Sequence, residues 1–426
     1  MPNTFAIPPP SRRSVTKRGW ALLGLIFATA IYMTLTASPS AAVQPTGTEQ
    51  SSAATVSIIY VREDRDRLPP LSLLEFPPPN EGYDGAKLAV SDNNTTGRFL
   101  NQKFTLGTII GLRGDELIKN VVEEAKAGIG FFVVDVTDET LLALSDALKD
   151  LPAVIFNAGS STQRLREDDC RLNVKHTAAS YAMLTDALAQ YLAWKQWRKL
   201  VLVSGPKPED KRYAESLKRS AKRFGLKILA EKEFVYTAGS RRADGGFEQV
   251  QKQIPTFTQE FPEYDVLLVA DEANQFGEYF PFRTWIPRPV AGTHGLVPRA
   301  WHPASELWGA TQFQNRFGRL SGRTMRDLDY AAWMAVRSIG EAATRTGSTE
   351  PKKLIDYMLS PKFELAAFKG QKLTYRTWNA QLRQPIFVTA PNLHVTVSPQ
   401  VGFLHKKTVL DTMGVDQPET TCQAFK

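Results

Sequence analysis

The chain has 426 residues, 42% of them hydrophobic and 23% charged, with two cysteines. This composition excludes wholesale disorder, a disulfide-built miniature scaffold and a Cys-rich metal protein, and the length calls for two domains. A formal charge of +8 invites a nucleic-acid partner, so the placement of the charges has to be followed along the chain.

Residues 1–19 carry Arg12, Arg13, Lys17 and Arg18 and no acid. The apolar run from Trp20 to Met33 follows, then the small residues 37–42. The pattern reads as a secretory signal peptide over 1–42, with export to the periplasm. At 14 residues the run is short of the roughly 20 that span a bilayer, although an uncleaved anchor is the alternative. The arginine pair also resembles a twin-arginine signal, but the strong apolar run favours the general secretory route. Cleavage would leave 48 basic against 44 acidic residues, a balance of only +4. That argues against nucleic acid and leaves a chain that does not span a membrane. Residues 43–54, rich in Thr, Ser, Gln and Ala, read as a disordered lead-in.

Strands and helices then alternate. The β-branched run 55–61 is a buried parallel strand, and the Pro-rich 62–80 is loop. Helix is expected over 81–93, strand over 104–110, helix over 114–127, strand over 131–136, helix over 138–151 and strand over 153–157. The series restarts with a long helix over 176–197. Strand 199–204, a basic helix over 209–224, strand 227–235, helix 247–257, strand 265–270 and a short strand at 289–292 follow. Helix 327–346 stops at Gly347, helix 352–359 comes next, and 373–409 is strand-like. The fold class is α/β, with two doubly wound, flavodoxin-like lobes. The expected lobes are 55–173 with a return segment 306–346, and 174–305 with 350–410, followed by a C-terminal tail over 411–426. Ligands of such sheets sit beyond the carboxyl ends of the strands, so the crevice between lobes is the expected site.

The chain carries no signature of an enzyme: no Gly-x-Ser-x-Gly elbow, no phosphate loop and no His-Glu-x-x-His motif. The five histidines lack metal-ligand spacing, so neither a catalytic residue nor a metal is expected. Cys170 and Cys422 suit one disulfide in an exported chain; two buried free thiols are the alternative. Polar stretches follow the strands: Arg62, first out of the first strand; Asn157 to Ser161; Asp271 to Asn274; and Thr293 to Trp301, flanked by Trp285 and Trp308. Arginine and tryptophan around a cleft suit a planar anion. The basic helix with Lys211 reads as a solvated outer face.

Two stretches carry a resemblance. Tyr83-Asp-Gly-Ala-Lys-Leu-Ala-Val-Ser-Asp-Asn93 resembles the first helix of type I periplasmic solute-binding proteins of the branched-chain amino-acid kind. The stretch from Asp329 to Ala343 resembles their late helix. A narrower resemblance rests on His176-Thr-Ala-Ala-Ser-Tyr-Ala-Met183, Asp186 to Leu192, Trp378 to Ile386 and Leu410 to Asp416. These are similar to the binding proteins that accompany pyrroloquinoline quinone (PQQ)-dependent alcohol dehydrogenase systems. The resemblance implies a solute-binding component of an ABC-type uptake system, partnered by transporter membrane subunits or by the dehydrogenase system. It requires no cofactor, with PQQ as the expected bound ligand. A small carboxylate or alcohol-derived metabolite, or a sensor role at a membrane receptor, is the alternative. By position, the family's contacts correspond to Arg62, Asn157, Ser160, His176, Thr177, Lys211, Asp271, His294, Arg299 and Trp301. For PQQ, the cations would be Arg62, Lys211 and Arg299, with Trp301 or Trp285 as the stacking face. The Arg62-Glu-Asp exit departs from the Ser/Thr-rich lobe of the amino-acid binders and points to a larger anion.

Overall fold

The computed structural model describes residues 54–66, 76–235 and 250–426. The expected signal peptide and nearly all of the expected lead-in lie outside these residues. Among the described residues, two parallel sheets, a small antiparallel sheet and a two-stranded hairpin organise the fold. The first contains β1 (Ala54–Glu63), β2 (Gln102–Leu112), β3 (Phe131–Asp135), β4 (Val154–Asn157) and β5 (Val174–His176). They are all parallel, in the order β2-β1-β3-β4-β5. The helices between them are α1 (Tyr83–Gly97), α2 (Gly114–Lys126) and α3 (Asp138–Leu148). α4 (Tyr181–Trp194) leads to the second sheet: β6 (Lys199–Ser204), β7 (Lys227–Glu233), β8 (Val266–Ala270) and β9 (Val290–Gly292). Its parallel order is β7-β6-β8-β9, with α5 (Pro208–Arg223), α6 (Val250–Thr258) and the short α7 (Phe280–Arg283) alongside. Both orders are doubly wound, and both reverse next to their first strand, which opens a crevice there.

Side-chain alternation splits the core around the first sheet. Val56, Ile58 and Tyr60 face α1 and the late helices, whereas Ile59 and Val61 face α2 and α3. The second sheet divides the same way: Leu200 and Leu202 pack toward α4 and α5, Val201 and Val203 toward α6. Each such side chain contributes about 1.5–3 kcal/mol by leaving water.

β10 (Val297–Arg299) joins β13 (Ile386–Ala390) and β14 (Leu393–Ser398) in a small antiparallel sheet. Between β10 and β13 come α8 (Ala310–Ser321), α9 (Asp327–Thr346), α10 (Pro351–Met358) and the hairpin β11 (Leu365–Ala366) with β12 (Lys372–Leu373). α8 was not expected; its Phe313, Phe317 and Leu320 lie on one helical face against the first core. The helix expected over 176–197 starts only at Tyr181. His176 belongs to β5, and Ser180 caps α4 by accepting from the Met183 N–H. Residues 350–410 were expected with the second lobe. Leu354, Met358, Phe363, Leu365, Leu373 and Ile386 instead join the core beneath the first sheet, whereas Val388, Val395 and Phe403 pack against the second sheet's core.

α1 and α9 approach each other closely because glycines face the contact. A Cβ on Gly85 would lie 1.9 Å from the Asp329 carbonyl oxygen, and one on Gly340 would lie 2.1 Å from Asn93 Oδ1. Asp329 anchors the start of α9. Its carboxylate accepts from the N–H groups of Gly82 (2.7 Å) and Arg326 (3.0 Å) and pairs with Arg323 at 2.7 Å. Gly85→Ala pushes a methyl into rigid backbone, so a destabilisation of about 3 kcal/mol is expected, read as a lower urea midpoint.

Cys170 and Cys422 are disulfide-bonded. The tail reaches that point from the second sheet: Glu419 pairs with Arg223 of α5 at 3.0 Å, and Thr421 N–H donates to Glu167 at 2.8 Å.

Candidate functional site

Between the carboxyl ends of the first and second sheets lies a cavity of about 720 Å³. That size suits a small molecule. Its lining comes from the loop after β4 (Ala158, Gly159, Ser161), the start of α4 (Ala178, Ala179, Tyr181), Tyr213 of α5, the loop after β8 (Asp271, Glu272, Asn274) and the loop after β9 (Thr293, His294). Arg299, Arg326 and Asp327 close one side.

The first-sheet wall is a row of donors. Among the described residues, the backbone N–H groups of Gly159, Ser161 and Ala179 have no partner within the protein. They stand next to the N-terminus of α4, where the helix dipole favours negative charge. Arg166 holds both loops from behind. It is 1% exposed, and its guanidinium donates to the carbonyls of Thr162 (2.9 Å), Ser160 (2.9 Å) and Ala178 (3.1 Å) and to Gln381 Oε1 (2.9 Å). Burial pushes its pKa down to about 9, which still leaves it a cation at neutral pH behind the donor row.

The opposite wall is acidic and aromatic. The Tyr181 hydroxyl donates to Glu272 Oε2 at 3.1 Å, and Tyr181 packs edge-on against Tyr213 with ring centroids 5.4 Å apart. Glu272 is open to water yet ringed by protein, and this enclosure is the main reason its carboxyl rises to about 7. Neighbouring Asp210 and Asp271 push the same way, while Tyr181 and Arg299 oppose them. The lining carries five carboxylates (Glu81, Asp271, Glu272, Glu278, Asp327) against the two arginines.

The residues expected from sequence divide into three sets. Asp271, His294, Arg299 and Trp301 line the cleft. Asp271 is occupied in shaping it, accepting from the N–H groups of Gln275, Phe276 and Gly277 at 2.6–2.9 Å. His294 bridges Thr293 and Asn274, and Arg299 pairs with Asp327 at 3.3 Å.

A second set supports the wall from behind. Asn157 Nδ2 contacts the Ser160 carbonyl and His176 Nδ1, at 2.9 and 3.1 Å. The Ser160 hydroxyl donates to Asp138 at 2.6 Å, and Thr177 Oγ1 to the Asn157 carbonyl at 3.3 Å. His176 is fully enclosed, and burial holds its pKa well below the usual imidazole range.

The third set requires correction. Arg62 is the penultimate residue of β1, opposite Asp135 of β3, and lines no part of the cleft. Lys211 is 58% exposed on α5 and pairs with Glu233 at 3.2 Å. Trp301 borders the cleft as expected, but not as an open stacking face: it is 1% exposed, its ring stacks on Tyr330 at 4.7 Å and its Nε1 donates to Gln314. Trp285 is exposed outside the lining.

Glu272, Tyr181, Tyr213 and Arg166 were not singled out from sequence. Glu272 lay within the Asp271–Asn274 stretch, but nothing in the order of residues says which of two adjacent carboxylates turns outward. Among the described residues no group of three His, Cys, Asp or Glu side chains is placed to hold a metal ion, and no helix is long and apolar enough to cross a membrane.

No family model matches the sequence, and no curated protein resembles it in sequence. Solved structures share the fold. A periplasmic binding protein from Burkholderia mallei aligns with a TM-score of 0.62 at 14% identity, covering 88% of this chain and 100% of that one. An ABC transporter substrate-binding protein from Desulfitobacterium hafniense, in complex with Leu, gives 0.61 at 16% identity over 80% of this chain and 99% of that one. A solute-binding protein of an ABC transporter from R. palustris, in complex with benzoate, gives 0.60 at 10% identity over 87% of this chain and 100% of that one. These neighbours are binding proteins rather than enzymes, and the chain has the type I periplasmic binding protein fold they share.

Proposed function

We propose that the protein is a periplasmic solute-binding component of an ABC-type uptake system, and that its cleft takes a small zwitterion of the α-amino-acid type. The carrying observation is the polarity of the two walls. The row of free N–H groups in front of buried Arg166 suits a carboxylate, and the Glu272–Tyr181 pair suits an ammonium group. Neighbours in complex with leucine and with benzoate support a ligand of this size. Closure of the two sheets over the ligand would present the form that transporter subunits recognise.

PQQ fits this cleft poorly. Three carboxylates would meet a lining with more acids than bases, two of the three expected cations lie off the cleft, and of the two expected stacking rings Trp301 is 1% exposed at the edge of the cleft and Trp285 lies outside it. The long loop after β1 suggested a larger anion from sequence; the lining favours the smaller one.

Calorimetric titration at pH 8 with a panel of α-amino acids, benzoate and PQQ tests the reading. At least one amino acid is expected to bind in the micromolar range, about −8 kcal/mol. Saturable binding of PQQ with none by the amino acids would overturn it. The pH dependence is a second check. Glu272 is neutral below about 7 and becomes an anion above it, so affinity for an ammonium-bearing ligand rises from pH 6 to pH 8. Benzoate, which lacks the ammonium, gains nothing over that interval.

A further inference from the structure

A second cavity of about 790 Å³ lies on the flank formed by α1, α8 and α9 and shares no lining residue with the cleft. Its charge is unbalanced. Three arginines line it, Arg316 and Arg319 from α8 and Arg337 from α9, and Asp92 of α1 is the one carboxylate in the lining. Asp92 is already committed: it pairs with Arg316 and accepts from Trp333 Nε1 at 3.0 Å. Arg337 donates to Asn93 Oδ1, a neutral amide, and makes no ion pair among the described residues. Glu341, one turn further along α9, is taken by Arg345 at 2.8 Å. Arg319 has no ion pair either. Three guanidinium groups therefore face the cavity against the single carboxylate of its lining, and Asp92 and Glu341 act on Arg337 only without direct ion pairing. One of them, Arg337, is mostly enclosed, and this burial lowers its pKa. An enclosed cation with no carboxylate in direct contact is costly, and a bound anion would relieve that cost. The remaining wall combines the hydroxyl side chains of Ser91, Thr95 and Thr96 with an apolar, aromatic part in which Trp333 and Phe368 stand at a centroid distance of 5.7 Å.

We propose that this flank cavity is a second binding site, for a small organic dianion with a flat apolar body. The excess of two positive charges matches a dianion, guanidinium forks suit bidentate carboxylate or phosphate oxygens, and the aromatic wall takes the body. A phosphate monoester and an aromatic dicarboxylate share this chemistry.

Titration with phenyl phosphate and with phthalate separates the two sources and tests the site. Wild-type protein is expected to bind at least one of them one-to-one, and the tighter of the two identifies the source. Arg319→Ala, at an exposed position that folding tolerates, weakens binding about tenfold or more; Arg337→Lys, which keeps the charge and loses the fork, also weakens it. Glu272→Gln, in the cleft, leaves dianion binding unchanged, so this result stands or falls independently of the amino-acid reading. Absence of binding of both compounds at millimolar concentration would overturn the proposal. So would affinities that are equal in wild type, Arg319→Ala and Arg337→Lys.

Discussion

Asp411→Asn is expected to lower the stability of the folded chain by about 3–5 kcal/mol, the cost of leaving buried charge unpaired. Asp411 is 0% exposed, and its Oδ1 accepts from Arg376 Nε at 3.0 Å and from Arg383 Nε at 2.8 Å. Burial already lowers the pKa of Arg376, so its cation depends on this partner. An asparagine keeps the shape and removes the charge that compensates two guanidinium groups. Guanidinium denaturation at pH 7 reads the effect as a lower midpoint with the slope unchanged. A midpoint within experimental error of wild type would mean that water and the neighbouring carbonyls, those of Leu410 and Met413 at Arg376 and that of Tyr375 at Arg383, solvate both arginines well enough.

Cys170→Ser is expected to cost about 2–5 kcal/mol, because the bond closes a loop of 252 residues in the unfolded chain. The bond also holds the end of a tail whose earlier part is fixed to α5 by the Arg223–Glu419 pair. Thermal melting of wild type with and without reductant, beside the variant, gives the readout. Reduced wild type and Cys170→Ser should melt together and below the oxidised protein. Coincidence of all three curves would show that the tail is held by its non-covalent contacts alone.

Much of the architecture was legible along the chain. Continuous apolar runs such as 131–134 and 200–203 marked strands buried on both faces, and the strand–helix rhythm located the crevice between the two sheets. β5 was missed because three residues are too few to show a period. α8 was missed because tryptophan and glycine around 308–309 masked its start; Gly309 sits there at a φ of 82°.

The ligand was less legible, and the reason is specific. The four stretches behind the narrower resemblance meet in one buried network. Gln381 bonds the backbone of His176 and Ala178, Arg383 bonds Asp411, Asp186 accepts from the Gly414 N–H, and Gln190 bonds Thr412. Those residues hold the start of α4 and the tail together, so they report architecture rather than ligand chemistry. The residues that face a ligand are ordinary in sequence. Tyr181, Tyr213 and Glu272 come from three separate elements, and nothing local marks them as neighbours. Arg166 sits in a run of charged residues that reads as solvated, and only its four carbonyl and amide acceptors show that it is an internal brace.

The proposed cleft ligand, a small zwitterion, would be held by the donor row at one end and Glu272 at the other. Native mass spectrometry of the protein isolated without unfolding, as wild type and as Glu272→Gln, tests it most directly. One bound amino acid per chain in wild type, lost or strongly depleted in Glu272→Gln, is the predicted result. A bound species retained equally by both proteins would contradict it.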